Sequence, residues 1–384
     1  MKRYDYIISG AGAAGLSLLM RFMQHSAFER KKILVVDKVP KNTNDRTWCF
    51  WEKQPGIFEK VVHHQWQEVN FHSAFFDSRL DLSPYTYKMI RGIDFYNYIY
   101  SEASVHTNVE FIYGEVQAVG NAGNEGMVIV NGEQYTADYV FNSIQFAKTE
   151  VRSGKYYLLQ HFKGFVIETE TKHFNPSRAT LMDFRVSQNN GTSFVYVLPT
   201  TENKALVEYT VFSERLLPGS DYDTVLKEYI SKVLGIEEYH ITDREFGVIP
   251  MTNIEFLKRV GNVINIGTAG GQTKGSSGYT FQFIQKHSDK LINDLLQKSA
   301  VIDAGSFFKK RFKLYDSTLL NILSGNKLTG EKIFSDLFSK NPAERVLRFL
   351  DNETTLEDEI NLMGTLPQIP FMKAAMQELF KQKH

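Results

Sequence analysis

The chain opens on a short apolar run, Tyr4–Ser9, that stops at the glycine-rich turn Gly10-Ala11-Gly12-Ala13-Ala14-Gly15. Apolar residues then recur at helical spacing, at Leu18, Leu19, Phe22 and Met23. A second apolar run, Lys32–Asp37, ends in a carboxylate. The pattern predicts strand, tight turn, helix and strand. Further on, the period changes to that of strands without intervening helices. The runs are Arg79–Leu82, Gly164–Thr171, Ala179–Phe184, Ser193–Pro199 and Ala205–Phe212. The last two flank Thr200–Lys204, a polar loop of hairpin length. A chain of alternating helices and parallel strands would not read this way, so an antiparallel sheet is expected inside an α/β frame. Helical periodicity is expected at Asp94–Ala103, at Thr224–Leu234, after Tyr279, and through most of the chain from Val301. Gly325, Gly330, Pro342, Pro367 and Pro370 punctuate that last region.

These elements predict three units. A discontinuous dinucleotide-binding domain takes residues 1–150 and 244–300. An antiparallel-sheet substrate domain takes 151–243, and a helical region takes 301–384.

Composition narrows the partners. Lys+Arg and Asp+Glu are both 44, so the formal charge is zero, which argues against a nucleic-acid binder held by global electrostatics. A zero balance also gives little colloidal protection, which suits a protein with a large apolar surface or a membrane neighbour. Aromatic residues make up 13% of the chain, either for a rich core or for a cavity that takes a large apolar ligand. Cys49 is the single cysteine, so no intrachain disulfide forms and a reducing cytoplasm is expected. The longest charge-free runs, Tyr6–Met20 and Val186–Thr201, fall short of the roughly 20 apolar residues of a spanning helix. No metal-ligand spacing, Gly-x-Ser-x-Gly elbow or Walker motif is present.

The first unit carries the most specific chemistry. Gly10 permits the tight turn, Gly12 lets backbone approach a pyrophosphate, and Gly15 lets helix and strand pack closely. The helix start offers free N–H groups to phosphate. Asp37, closing the second strand, can accept hydrogen bonds from a ribose diol. The unit alone does not separate FAD from NAD.

A second cofactor contact is expected in Asn262–Gly271 and Gly275–Tyr279, a strand followed by small residues and then a helix start. Gly267, Thr268 and Gly278 would let backbone approach an isoalloxazine or ribityl chain. Thr268 stands where flavoproteins of this type often carry Asp. Arg91, just before a predicted helix, either reaches the cofactor or is an ordinary surface arginine.

Several short segments together resemble the lycopene cyclases, the flavoprotein family that makes carotenoid end rings. Ile266–Tyr279, IGTAGGQTKGSSGY, is similar to the family's GTAG segment with its downstream Gly-Tyr, although Lys274-Gly275 stands where His-Pro is common. Ile249-Pro250-Met251, Leu181–Arg185, Phe194–Pro199 with Val207–Thr210, and Thr47–Trp51 follow in family order and spacing. The resemblance implies an FAD-binding Rossmann-like domain with an inserted antiparallel substrate-domain sheet and a helical C-terminal region.

It implies a bacterial-type lycopene β-cyclase. Such an enzyme closes the ψ-ends of lycopene to β-rings, by way of γ-carotene, without net redox change. FAD would be needed in its reduced form, with NADPH as external reductant. Lycopene and related acyclic carotenoids would be the substrates.

Glu208 is the candidate acid/base, on a strand face shared with Leu206, Thr210 and Phe212. The strand pattern by itself favours a carboxylate paired with Lys or Arg on the outer face of the sheet. The family's Glu-x-Thr resemblance implies catalysis instead. On a tunnel-lining face, burial would keep the carboxyl protonated near neutral pH. Asp183 and Arg185 read as a structural pair.

A substrate that lives in the bilayer calls for peripheral membrane contact. Between Gly305 and Arg348, nine Lys/Arg face four acids, interleaved with Phe307, Phe308, Phe312, Leu314, Leu319, Leu320 and Phe338. The stretch is expected either to lie on anionic lipid or to pack as an amphipathic helix on its own domain. Two other functional readings stay open: a flavin-dependent monooxygenase or reductase acting on an isoprenoid, and a non-enzymatic prenyl-binding protein on the same frame.

Overall fold

In a computed structural model of the chain, which describes residues 2–146, 151, 153–297 and 310–381, the expected strand-turn-helix-strand unit is the centre of the first sheet. Lys2–Ser9 pairs in parallel with Ile33–Asp37 on one side and Glu133–Asn142 on the other. Val109–Tyr113 and Val263–Asn265 extend the parallel set outward. The hairpin Val116–Ala122 and Glu125–Val130 pairs antiparallel onto Glu133–Asn142. The helix Ala13–Gln24 covers this sheet. Its Leu16, Leu18, Leu19 and Phe22 are buried against Ile264, Phe281 and Ile284 from the far end of the frame. Buried Arg21 ties that helix to Phe281–Leu296, donating to Asp289 Oδ1 at 2.5 Å and Gln285 Oε1 at 2.9 Å.

The second sheet has seven strands. In spatial order they are His240–Thr252, Tyr157–Glu168, Lys204–Ser213, Thr192–Pro199, Arg178–Asp183, Glu68–His72 and Asp77–Asp81. Every pairing is antiparallel except that of Arg178–Asp183 with Glu68–His72. Alternation along Lys204–Ser213 sends Val207, Tyr209 and Val211 to one face, against the helix Gly219–Lys232. Leu206 and Phe212 go to the other face, against Phe334 and the C-terminal helices.

The antiparallel sheet draws strands from both sides of the expected domain limits. Glu68–His72 and Asp77–Asp81 lie within 1–150 but belong to the antiparallel sheet. His240–Thr252 runs unbroken across the expected limit at 244, because it pairs along nearly its whole length with Tyr157–Glu168. A sheet edge is defined by its ladder of backbone hydrogen bonds, and local composition does not report that ladder.

A third, three-stranded sheet joins Thr47–Glu52, Thr86–Arg91 and His64–Trp66. The helix Gly92–Ala103 follows it directly. Among the described residues the C-terminal region is helical, in five segments: Lys310–Ser324, Gly330–Lys340, Ala343–Leu350, Leu356–Gly364 and Gln368–Lys381. Pro370 falls in the first turn of the last helix, where a missing N–H costs little. Thr355 and Asp358 form a capping box at the start of Leu356–Gly364.

Of the two expectations for the basic stretch, its described part follows the second and packs on its own domain. Phe312, Leu320 and Phe338 are buried, and Leu319 packs against the core. Its cations pair with acids of the same region: Arg311 with Glu359, Lys332 and Lys340 with Asp336, and Arg348 with Glu344 and Asp358. Val301, Phe307, Phe308 and Lys309 lie outside the described residues. Among the described residues no helix is long and apolar enough to cross a membrane.

Candidate active site

The glycine turn has the shape a dinucleotide requires. Gly10 sits at φ +101°, and a Cβ there would lie 2.1 Å from Ser143 Oγ. A Cβ on Gly15 would lie 2.0 Å from the Gly10 carbonyl oxygen, so the helix can approach the turn only without one. A Cβ on Gly12 would meet nothing within 4 Å. The space beside Gly12 therefore opens outward, at the start of a helix with no side-chain cap and no acid in its first turn. Such a helix start presents free amides to an anion. Asp37 stands at the lip of the turn, accepting from the Ala11 amide at 2.6 Å and the Lys38 amide at 2.7 Å. These residues fit a pyrophosphate and a ribose.

The second expected contact folds over the same end. Gly267 opens a 3-10 turn, Gly267–Gly270, at φ +62°, where a Cβ would lie 2.8 Å from that of Ala14. Thr268 lines a cavity of ≈ 390 Å³ together with Gly278 and Tyr279. Gly278 is left-handed at φ +71°, and a Cβ there would come 2.2 Å from Gln160 Oε1. That oxygen is buried, has no hydrogen-bond partner among the described residues, and belongs to a residue lining the same cavity. Open backbone, an unsatisfied acceptor and small residues suit a polar ring system.

The cavity lies between two sheets and the loops around Thr268 and Gly278. The antiparallel sheet contributes Tyr196, Leu206, Glu208 and Glu245, and the three-stranded sheet contributes Thr47, Trp48, Cys49 and Tyr87. Phe281 closes one side, in contact with Trp48 (ring centroids 6.0 Å apart) and stacked on Phe50. Tyr196 and Tyr279 both line the cavity. Burial pushes both phenols up, so they stay neutral.

Glu208 faces this cavity, on the side with Leu206, and not an outer ion pair. Its Oε1 accepts from Thr210 Oγ1 at 3.0 Å. Its carboxyl is pushed well above the ordinary range, first by burial and then by the charge of Glu245. Glu245 in turn accepts from Thr47 Oγ1 at 2.6 Å through Oε2. The register explains the meeting: Glu208 and Glu245 both lie opposite Gly164, on the strands that flank it. Burial and Glu208 raise the Cys49 thiol too, leaving it uncharged.

Other expected residues sit elsewhere. Arg91 is held by Asp94 through two hydrogen bonds, 2.6 and 2.8 Å, while Arg46 is the arginine that lines the cavity. Asp183 and Arg185 pair as expected, and Tyr229 also donates to Asp183 at 2.6 Å. Lys274, where the family commonly has His, is fully buried and ion-paired to Asp316 at 2.9 Å. Sequence reasoning passed over Glu245, Thr47 and Gly164. Thr47 lay in a segment already singled out, but Glu245 carried no signal until the strand register was known.

Comparison with known proteins agrees with this geometry. The family model described as lycopene cyclase protein matches residues 5–376. A lycopene beta-cyclase of Pantoea ananas is 23% identical over 394 residues, covering 97% of each chain. Among solved structures, a geranylgeranyl bacteriochlorophyll reductase-like protein of Thermoplasma acidophilum superposes with TM-score 0.61 at 12% identity, over 98% of this chain and 100% of that one. A flavin-dependent brominase superposes with TM-score 0.59 at 14% identity, over the whole of both chains. These structural likenesses bear out the flavoprotein-type fold expected from the sequence. The match over nearly the whole length decides the family: the chain belongs to the lycopene cyclases.

Proposed function

We propose that the protein is a lycopene β-cyclase that binds FAD and closes the ψ-ends of lycopene without net redox change, γ-carotene being the one-ring intermediate. The observation that carries the reading is the half-buried Glu208 carboxyl, raised well above its ordinary range, in a cavity with aromatic walls next to the Gly267–Gly270 turn and Gly278. In this reading Gly10, Gly12, Gly15 and Asp37 hold the dinucleotide end of the cofactor. Gly267, Thr268 and Gly278 border its ring. Reduced FAD, when bound, supplies negative charge beside a developing cation, with NADPH as the external reductant.

The chain's own residues do the rest. Glu208 gives its proton to an end-group alkene, and a tertiary carbocation results. A second double bond of the substrate attacks that centre, a carbon–carbon bond closes the ring, and a ring proton leaves. A raised pKa keeps Glu208 protonated but makes it a weaker acid, so the cation must be stabilised as it forms. The faces of Trp48, Tyr279 and Phe281 supply part of that stabilisation in a water-poor site. The hydrocarbon has no polar handle, so its binding comes from apolar burial at about 25 cal/mol per Å².

The proposed location is peripheral, at the cytoplasmic side of a membrane. The support is a different surface from the one the sequence suggested. Leu356, Ile360, Ile369, Met372, Met376 and Phe380, on the last two helices, are between 52% and 72% exposed. On the last helix they recur at the spacing of one stripe. Beneath it, an apolar cavity of ≈ 200 Å³ runs between Met372 and Ser276, in the loop that leads to Gly278 and Tyr279. A lipid-dissolved hydrocarbon is the substrate such a surface suits.

The test is expression in cells that accumulate lycopene. The pigment should shift from red to orange-yellow, while unchanged lycopene beside soluble, flavin-bound protein would reject the reading.

A further inference from the structure

We propose that Glu208 and Glu245 work as one carboxyl pair holding a single proton over Gly164, with Glu208 meeting the substrate and Glu245 acting as the positioning residue that keeps the proton on the pair. The inference rests on the cyclase reading of the cavity and adds a second carboxyl to it.

The geometry begins with the sheet. Tyr157–Glu168 runs between Lys204–Ser213 and His240–Thr252, and Gly164 is the register partner of Glu208 on one side and Glu245 on the other. Strands that flank a common neighbour lie about 9–10 Å apart, too far for carboxyls that stand straight up from the sheet. They must lean toward each other over the middle residue. That residue has no side chain. A Cβ on Gly164 would lie 2.8 Å from Leu206 Cδ1, 3.0 Å from Glu245 Cγ and 3.3 Å from Glu245 Oε1. Glycine within a strand weakens it and often marks a close approach, and here the approach is that of the two acids.

The hydrogen bonds leave one place for the proton. Thr210 donates to Glu208 Oε1, and Thr47 donates to Glu245 Oε2. Glu245 Oε1 is buried and has no donor among the described residues. Both carboxyls line one cavity from the two strands that flank Gly164, and the charge of Glu245 raises the Glu208 carboxyl, so a proton on Glu208 has Glu245 as its neighbouring acceptor. Neither glutamate forms an ion pair with Lys or Arg among the described residues. The other titratable or charged groups lining the cavity are Arg46, Cys49, Tyr87, Tyr196 and Tyr279. Burial and the neighbouring charge of Glu245 together hold the Glu208 proton above the ordinary carboxylate range.

The chemistry balances. The proton leaves Glu208 for the alkene carbon, and the pair becomes doubly negative facing the cation. Ring closure follows, and the proton lost from the ring returns to the pair. Each closure therefore ends with the acid restored, and the pair's extra negative charge exists only while the cation does.

The experiment follows the pH dependence of kcat/KM for lycopene in vesicles with FAD-loaded protein, for wild type, E245Q, G164A and E208Q. Flavin content and thermal melting are measured alongside. E245Q removes the like charge and leaves Glu208 a donor, so the alkaline limb should move down by one pH unit or more, with activity recovering toward wild type at acid pH. G164A should move the limb the same way by a smaller amount while the protein stays folded and flavin-bound. Infrared titration gives a readout independent of turnover: the protonated carboxyl band of wild type should persist to higher pH than that of E245Q. An E245Q or G164A profile that keeps the wild-type limb, with only its height changed, would overturn the pair. Full activity in E208Q would instead overturn the catalytic reading of the cavity. The two failures are distinct.

Discussion

Lys274 offers a sharp test of how the cofactor-side loop is held. Its side chain is fully buried, the ammonium 2.9 Å from Asp316 Oδ1 and 2.7 Å from Asn352 Oδ1, with the rings of Phe312 and Phe349 within 6 Å. Asp316 also accepts from Ser276 Oγ at 2.6 Å. One ion pair thus pins the loop before Gly278 to the helix Lys310–Ser324. Lys274→Met keeps the length of the stem and removes the charge, leaving a buried carboxylate with only the Ser276 hydroxyl. Breaking a buried pair from one side costs about 3–5 kcal/mol, most of it the stranded charge. The single variant should lose about that much in urea unfolding, with the midpoint shifted and the slope retained. Its FAD affinity should fall as the loop loosens. Adding Asp316→Leu removes the stranded charge, so the double variant should recover at least half the loss. Should the single variant cost under about 1 kcal/mol, or the double variant prove additive, the pair does not hold the loop.

Three further outcomes follow from the same coordinates. Gly12→Ala meets open space and should melt like wild type while losing FAD affinity, whereas Gly15→Ala strikes the Gly10 carbonyl and should lose about 2 kcal/mol as well as flavin; equal stability in the two would refute their different roles. Asp351 is pushed up to about 7, first by burial and further by Glu353, against the pull of Lys286 and Lys274. Its folded form binds more protons than the unfolded chain between about pH 4 and 7, so its contribution falls as pH rises through that window. Asp351→Asn should therefore gain about 3 kcal/mol on wild type between pH 5 and pH 8, and equal pH curves would refute this. Met376→Asp with Ile360→Asp should leave stability within about 0.5 kcal/mol, both sites being exposed, yet reduce sedimentation with anionic vesicles several-fold; unchanged sedimentation would discard that surface.

What could be read from the sequence was local. The turn at Gly10–Gly15 and its flanking elements declare themselves within about 30 residues, because their period and their glycines have local causes. That Glu208 shares a face with Leu206 was legible for the same reason, but alternation did not say that this face lines the cavity, and the strand pattern by itself favoured the outer side. Its partner was not legible. Glu245 is 37 positions away, and only the pairing of both strands with Gly164 brings the two together. The sheet that Glu68–His72 joins was not legible on the same account, because its ladder partner is Arg178–Asp183, more than 100 residues on. The basic stretch around Phe312 showed a true amphipathic pattern. A periodic pattern says that one face is covered and leaves open whether protein or lipid covers it. Arg91 failed to reach the cavity because Asp94, one turn along its own helix, was the nearer charge.

The most direct measurement supplies purified protein, with reduced FAD, with lycopene in heavy water and follows product mass alongside NADPH. Each β-ring formed should carry one solvent deuterium, and reductant consumption should fall far below one equivalent per ring. Rings free of deuterium, or NADPH oxidised in step with them, would contradict proton-started closure.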